Sequence, residues 1–321
     1  MPNTENPKSS TQDMRLTSIR YLGGGTNLYE FVPLDKSPVP DFTAGSHIDI
    51  HLPNGLVRQY SLVNVGERHR YLLGVKLDRQ SRGGSRCMHD TLRVGAVLPV
   101  SYPRNNFPLI EDAGHSVLVA GGIGITPIAS MAKRLEKIGK TWELHYAVRT
   151  RDEACFLDDL NPEKVYLHVD AEHANGPMDI AGIVGRAASN AHIYCCGPGP
   201  MLDVFERNAK GRCVENIHIE RFAAVPFEAL HFDKGYRIRL QKTGLEFDVA
   251  VGQTMLEVLR KNGIEISTSC EQGICGSCET KVVSGIPEHR DSLLSDAEKS
   301  SNKVMMVCCS GSKSDLLVLD L

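Results

Sequence analysis

Toward the C-terminal end, Cys270, Cys275 and Cys278 stand in the spacing C-x4-C-x2-C, and Cys308 and Cys309 follow on a later apolar segment. Three thiolates from one short loop and a fourth from elsewhere can wrap two irons. This is the plant-type spacing for a [2Fe-2S] cluster. Gly273 and Gly276 suit such a loop, because without a Cβ they can take positive φ and bring backbone N–H groups close to the sulfides. A structural zinc site is the competing reading of four thiolates. Zinc ribbons use two separate C-x2-C pairs, whereas this chain has one, so the pattern favours the cluster. Spacing alone leaves the fourth ligand open between Cys308 and Cys309. Neighbours on a strand face opposite ways, so only one of them reaches the irons.

A one-electron centre has to be loaded, so the rest of the chain is expected to carry a reductase. The apolar run Ser116 to Ala120 ends in Gly121-Gly122-Ile123-Gly124-Ile125-Thr126-Pro127, and a helix follows with Ile128, Met131, Leu135 and Ile138 on one face. Thr126 suits the N-cap and Pro127 the first helical position. Strand, glycine loop and helix together place backbone amides where a pyrophosphate could sit. This is not the G-x-G-x-x-G fingerprint, and glycines present only for packing are the plain alternative. A second piece, Cys196-Gly197-Pro198, ends another strand at the same carboxyl edge, where open α/β sheets bind ligands. Two such turns read as nucleotide binding. Arg149 and Arg151 follow the strand of Trp142, Leu144, Tyr146 and Val148, where the adenosine ribose should lie. They either contact a 2'-phosphate or decorate the loop.

Earlier in the chain, Arg58-Gln59-Tyr60-Ser61 puts a cation and an aromatic on one face of a strand, which suits a phosphate and a flat ring. Arg82-Gly83-Gly84-Ser85 could offer amides and a hydroxyl to the same phosphate. Read alone, either stretch is as well explained by a solvated strand or a surface loop.

These residues need elements to hold them. Residues 1–13 read as a polar, disordered tail, and 14–112 as short strands separated by turns, an antiparallel barrel. Residues 113–224 alternate strands and helices in a doubly wound α/β pattern, 225–235 form a linker, and 236–321 hold the cluster loop. Within the last segment, Thr254 to Glu257 shows a capping-box pattern, and Val304 to Cys309 reads as a strand. At 321 residues with a net charge of -3, the chain has room for two or three cores and no basic block for nucleic acid or an anionic membrane. No stretch approaches the roughly 20 apolar residues that span a bilayer. Ten cysteines in so long a chain, four of them committed to the cluster, point to the cytoplasm rather than to a secreted disulfide scaffold.

Taken in order, Arg58-x-Tyr60-Ser61, Gly83-Gly84-Ser85, the glycine turn at 121–127, Cys196-Gly197-Pro198 and the cysteine cluster resemble phthalate dioxygenase reductase and its relatives, including vanillate demethylase reductases. The segments His289-Arg290-Asp291 and Leu317 to Leu321 look like that family too. The resemblance implies FMN rather than FAD in the barrel, NADH in the middle domain and a C-terminal β-grasp ferredoxin domain. It implies that Arg58, Gln59 and Ser61 bind the flavin phosphate and ribityl chain, that Tyr60 lies against the isoalloxazine, and that Val75 and Lys76 line its edge. By the same resemblance Gly83, Gly84 and Ser85 hold the phosphate. Gly121, Gly122, Ile123, Gly124, Thr126, Arg149, Gly197 and Pro198 would bind NADH. Cys196 would sit beside the reacting nicotinamide carbon, and Phe222 would cover the flavin. Cys308, followed by Ser310, matches the family's fourth ligand, with Cys270, Cys275 and Cys278 as the others.

The expected activity is then that of a monomeric NADH-dependent FMN/[2Fe-2S] oxidoreductase serving the terminal component of a Rieske-type oxygenase, with a docking rim around Glu271 and Gln272. A reductase for another acceptor (a quinone, a ferric chelate or a cytochrome) is the competing enzyme reading. A ferredoxin or zinc module on a defunct nucleotide domain is the non-enzymatic one.

Overall fold

The computed structural model describes residues 11–79, 81–173, 176–223 and 234–321. Most of the expected tail and of the 225–235 linker lies outside the described residues. Two compact units emerge, Met1–Glu220 and Arg221–Leu321.

The first unit opens with six antiparallel strands: β1 (Thr11–Gly23), β2 (Thr26–Pro33), β3 (His47–His51), β4 (Val57–Ser61), β5 (Tyr71–Lys76) and β6 (Val97–Ser101). Their order is β4-β3-β6-β1-β2-β5. A bridge between Leu62 and Leu73, with the Val63 N–H donating to the Leu72 carbonyl at 3.0 Å, joins the two edges and closes the barrel. β1 begins at Thr11, paired with Ser101, so the last three residues of the expected tail are strand. Alternating side chains fill the interior: Met14, Leu16, Tyr29, Phe31, Ile48, Ile50 and Leu73 are fully buried. Each such side chain contributes about 1.5–3 kcal/mol. After β5 the chain forms one helical turn, α1 (Gly84–Arg86), running into a wider turn at Cys87–Thr91.

The rest of this unit is a parallel sheet of β7 (Ser116–Gly121), β8 (Trp142–Val148), β9 (Val165–Val169), β10 (His192–Cys196) and β11 (Ile217–Glu220), in the order β11-β10-β7-β8-β9. The direction of winding reverses between β7 and β10. Helix α2 (Ile125–Lys137) packs on one face with Leu118, Ala120 and Tyr194. On the other face, α3 (Ile180–Arg186) and α4 (Gly199–Ala209) pack with Val117, Val119 and Ile193. Both faces are covered, as a parallel sheet requires. Two local expectations need correcting. The turn at Gly122–Gly124 coils directly into α2, so Gly124 is the N-cap and Thr126 lies inside the first turn, its hydroxyl donating to the Ile123 carbonyl at 3.0 Å. Likewise α4 starts at Gly199, because a proline at position 200 costs nothing where the N–H has no helical partner.

The second unit holds β12 (Tyr236–Leu240), β13 (Glu246–Val249), helix α5 (Met255–Lys261), β14 (Glu279–Ser284), β15 (Pro287–Glu288), helix α6 (Asp296–Ser301), β16 (Val304–Met306), β17 (Gly311–Ser312) and β18 (Leu316–Leu319). Its main sheet runs β13-β12-β18-β14-β16, with β12 and β18 parallel. Helix α5 lays Met255, Leu256 and Leu259 against Ile238, Leu317 and Leu319, the β-grasp arrangement. Its capping box is formed: Thr254 accepts from the Glu257 N–H at 3.2 Å and Glu257 from the Thr254 N–H at 2.9 Å. The strand expected from Val304 to Cys309 ends at Met306. The Met306 carbonyl accepts the N–H groups of both Cys309 and Ser310, which folds residues 307–309 into a turn.

Candidate functional site

The two glycine turns follow β7 and β10, the strands flanking the reversal of winding, where open α/β sheets leave a ligand crevice. They pack backbone against backbone. A Cβ on Gly124 would stand 2.2 Å from the Cys196 carbonyl oxygen and 2.8 Å from the Gly197 nitrogen, and one on Gly121 would stand 2.6 Å from Pro198 Cδ. Only residues without a side chain permit this approach. Gly122 takes φ +52°, and the Tyr146 hydroxyl donates to its carbonyl at 3.2 Å. Of the expected nucleotide residues, Gly121, Gly122, Ile123, Gly124, Cys196, Gly197 and Pro198 therefore come together. Arg149 lies beyond the end of β8, exposed, its carbonyl accepting from the Ala171 N–H at 3.0 Å. Arg151 is held by Glu172 through two hydrogen bonds of 3.0 and 2.5 Å.

Cys196 is fully buried, and burial, reinforced by the carboxyl of Glu220, pushes its thiol well above the ordinary range. Glu220 stands opposite Cys196 in the β10–β11 ladder. Burial raises its carboxyl to about 8, and among the described residues Oε2 has no hydrogen-bond partner. At neutral pH this carboxyl is mostly protonated, a proton donor at the edge where a nucleotide would sit. Glu220 is assigned no role in the sequence analysis. Its signal was an acidic residue closing an apolar strand at a ligand-binding edge. Phe222, two residues on, is 41% exposed.

In the barrel, Arg58 and Tyr60 share a face of β4, opposite Ile50 and Ile48 of β3. Gly84 rests on the Arg58 side chain, so tightly that a Cβ would stand 2.7 Å from Arg58 Nε. Gly83 takes φ +99°, and Asn54 Nδ2 donates to its carbonyl at 3.2 Å. The Ser85 hydroxyl accepts from the Asp78 N–H at 3.1 Å. Arg58, Gly83 and Gly84 thus form one cradle. Gln59 points to the opposite face, across from Asp49, as strand alternation dictates. Ser61 is buried, and Tyr60 is partly buried with its phenol pushed up by desolvation.

Val75 and Lys76 end β5. The Val75 carbonyl accepts from His89 Nε2 at 2.9 Å, a contact with no sequence signal. Lys76 reaches Glu153 at 3.0 Å, tying the barrel to the loop after β8. Beside them Gly74 admits Thr126 and the ring of Phe156, whose own backbone sits at φ +65°. This edge joins barrel and parallel sheet, and the glycine turns open toward it through Thr126.

In the second unit, the Cys270 and Cys275 thiols lie within hydrogen-bonding range of each other, as do those of Cys278 and Cys308. Within each pair the partner thiol stabilises a thiolate: Cys275 is lowered by Cys270, then Ser277, and Cys308 by Cys278, then Cys309. Two pairs fit two irons. Backbone donors also reach the sulfurs: Gln272 N–H to Cys270 at 3.3 Å, and Gly273 N–H to Cys308. Glu271, Gly273 and Gly276 all take positive φ, as amides pointing inward require. The Cys309 thiol lies within reach of Cys308 as well, and also donates to the Met306 carbonyl at 3.8 Å.

A family model described as the 2Fe-2S iron-sulfur cluster binding domain matches residues 238–312. Over 319 residues the chain is 47% identical to tetrachlorobenzoquinone reductase of Sphingobium chlorophenolicum, covering 97% of this chain and 98% of that protein. It is 44% identical over 313 residues to vanillate O-demethylase oxidoreductase of Pseudomonas sp. (strain HR199 / DSM 7063), covering 95% and 98%. The solved structure of phthalate dioxygenase reductase, described as modular for electron transfer from pyridine nucleotides to [2Fe-2S], matches with a TM-score of 0.72 at 35% identity, over 98% of this chain and 99% of that one.

The chain belongs to the phthalate dioxygenase reductase-like family. Within it the barrel is the flavin-binding module, the parallel sheet the nucleotide module and the β-grasp unit the ferredoxin module, and the chain is an oxidoreductase. Part of an intact type IV self-sufficient cytochrome P450 monooxygenase matches all of this chain with a TM-score of 0.91 and 34% identity; this chain spans 42% of that longer one. Among the described residues, no helix of this reductase-family chain is long and apolar enough to cross a membrane.

Proposed function

We propose that this chain is the reductase component of a Rieske-type oxygenase system, drawing electrons from NADH and delivering them to a terminal oxygenase. The observation that carries the reading is the pairing of four thiols, Cys270 with Cys275 and Cys278 with Cys308, in a chain whose other unit brings two glycine turns together at a sheet's ligand edge. Bound FMN and a [2Fe-2S] cluster would supply the conversion of a two-electron donor into one-electron deliveries. The protein's own work is placement. Arg58 with Gly83 and Gly84 grips the flavin phosphate, Ser85 and Ser61 add hydroxyls, and Tyr60 presents its ring. Val75 and Lys76 set the flavin edge, with Gln59 on the far face of β4 as support. Gly121 to Gly124, Thr126, Gly197 and Pro198 seat the dinucleotide, Arg149 flanks its ribose, Cys196 packs beside the nicotinamide, and Phe222 shields the flavin. The modules run from Thr11 to 112, 113–224 and 236–321, and the chain acts as a monomer.

An anaerobic titration with NADH and then NADPH, followed by absorbance and low-temperature EPR, tests this. Bleaching of flavin and cluster bands by NADH together with a rhombic reduced-cluster signal is the expected result. Flavin bleaching with no such signal would reject the cluster assignment.

The 47% identity to tetrachlorobenzoquinone reductase favours a second reading, in which a quinone is the acceptor. Reoxidation of the NADH-reduced protein separates the two: rapid electron loss to tetrachlorobenzoquinone but not to a purified Rieske oxygenase would select the quinone.

A further inference from the structure

The segment His289-Arg290-Asp291 places a carboxylate where a β-grasp core would ordinarily tolerate none. The Asp291 side chain is completely buried. Its Oδ2 accepts from the Leu294 N–H at 2.8 Å and the Leu293 N–H at 3.3 Å. Lys299 of α6 donates to the Asp291 carbonyl at 2.8 Å, and its ammonium stands 3.9 Å from Oδ2. His289 Nδ1 lies 3.6 Å from Oδ1, yet among the described residues neither His289 ring nitrogen nor Oδ1 has a hydrogen-bond partner. The Cys309 thiol feels the same carboxylate. Burying an incompletely satisfied charge costs stability, so its retention calls for a use.

The use lies in what the segment touches. Gly273, at the apex of the cluster loop, packs so closely on Asp291 that a Cβ would stand 2.9 Å from both its Cα and its Cβ. The Ser292 N–H donates to the Gly273 carbonyl at 3.0 Å. Across the same residue, the Gly273 N–H donates to the Cys308 sulfur. A continuous line therefore runs from the carboxylate, through the turn it braces and the Gly273 peptide, to a thiolate of the cluster site. Donors aimed at a cluster's sulfurs raise its potential, and negative charge nearby in a low dielectric lowers it.

We propose that Asp291 is a positioning residue for the cluster loop, orienting the Gly273 N–H toward Cys308 while its buried charge lowers the reduction potential of the cluster held there. This rests on the cluster reading given above. Lys299 is the counter-charge that moderates the effect.

The test is an EPR-monitored redox titration of the loaded full-length protein, comparing wild type with Asp291→Asn and Lys299→Gln, with iron content and flavin absorbance measured alongside. Asparagine keeps the shape and one acceptor but drops the charge. Asp291→Asn is expected to shift the reduced-to-oxidised ratio at fixed poise about tenfold toward reduced, about 59 mV upward for one electron. Lys299→Gln is expected to shift it the opposite way by about threefold. Opposite signs mark an electrostatic role, since loosening a loop has no reason to reverse with the sign of the charge removed. Shifts in the same direction, or both within about 1.5-fold of wild type, overturn the proposal. Should Asp291→Asn lose its iron, Lys299→Gln decides alone: a lowered midpoint supports the proposal and an unchanged one overturns it. Wild-type protein with no iron and no reduced-cluster signal removes the cluster reading instead, and the proposal with it.

Discussion

The α-carbon of Gly124 lies against the Cys196 peptide so closely that a Cβ would stand 2.2 Å from the Cys196 carbonyl oxygen. Gly124 itself has φ -60°, ordinary helical backbone. What excludes a side chain here is therefore the neighbouring turn and not local conformation. Gly124→Ala is expected to push the two turns apart, lowering kcat/KM for NADH at least tenfold and stability by about 1–3 kcal/mol. Stopped-flow flavin reduction and thermal unfolding check both; near-normal hydride transfer would show that the turns need not touch.

Glu220 makes stability depend on pH. Its folded value of about 8 exceeds the 4.5 of an unfolded glutamate, so the native state holds a proton that the unfolded chain has released between those values. Stability of this unit is then greatest below about 4.5, as far as this group goes, and falls as pH rises toward 8, where the loss levels off. Denaturant titrations of wild type and Glu220→Gln across pH 5–8.5 measure the difference. The variant should have the shallower decline, and parallel curves would count against a protonated Glu220.

The cradle of Arg58 and Gly84 predicts a specific weakness. A lysine at 58 keeps the charge but loses the planar guanidinium, whose Nε together with the Arg58 stem carbons forms the surface under Gly84. Arg58→Lys is expected to bind FMN about tenfold more weakly, as read by flavin fluorescence on dilution. Unchanged affinity would place the phosphate elsewhere.

Arg151 is engaged by Glu172, which leaves it a poor receptor for a 2'-phosphate. Glu172→Gln frees the guanidinium and should raise kcat/KM for NADPH several-fold with little change for NADH. No gain with NADPH would assign the choice of nucleotide to other residues.

How much of this was legible in the residues depended on range. The cluster loop was readable because its three cysteines and two glycines are close neighbours, and the ligand edge because each glycine turn follows an apolar strand. The environment of Cys308 was misread as strand: the Met306 carbonyl gathers two N–H groups and bends the chain, which apolar spacing does not reveal. The start of α2 was placed late for a similar reason, since a threonine before a proline looks like a cap until the preceding glycines are seen to coil. Glu220 carries only the faint signal of an acidic residue at a strand end and His89 none, because their significance is tertiary. One acquires it from the buried thiol across the ladder, the other from a carbonyl on β5.

The partnership of Cys278 with Cys308 reaches beyond electron transfer. These two thiols bracket β14, β15, α6 and β16, about thirty residues of the β-grasp unit. Iron held by both would act as a chain cross-link, removing from the unfolded ensemble the freedom of a loop that size, about 3–4 kcal/mol by analogy with a disulfide. Chelation would therefore do more than bleach the protein. It would release that entropy, so the half of the unit carrying α6 should melt first and become the protease-sensitive part of the apo form.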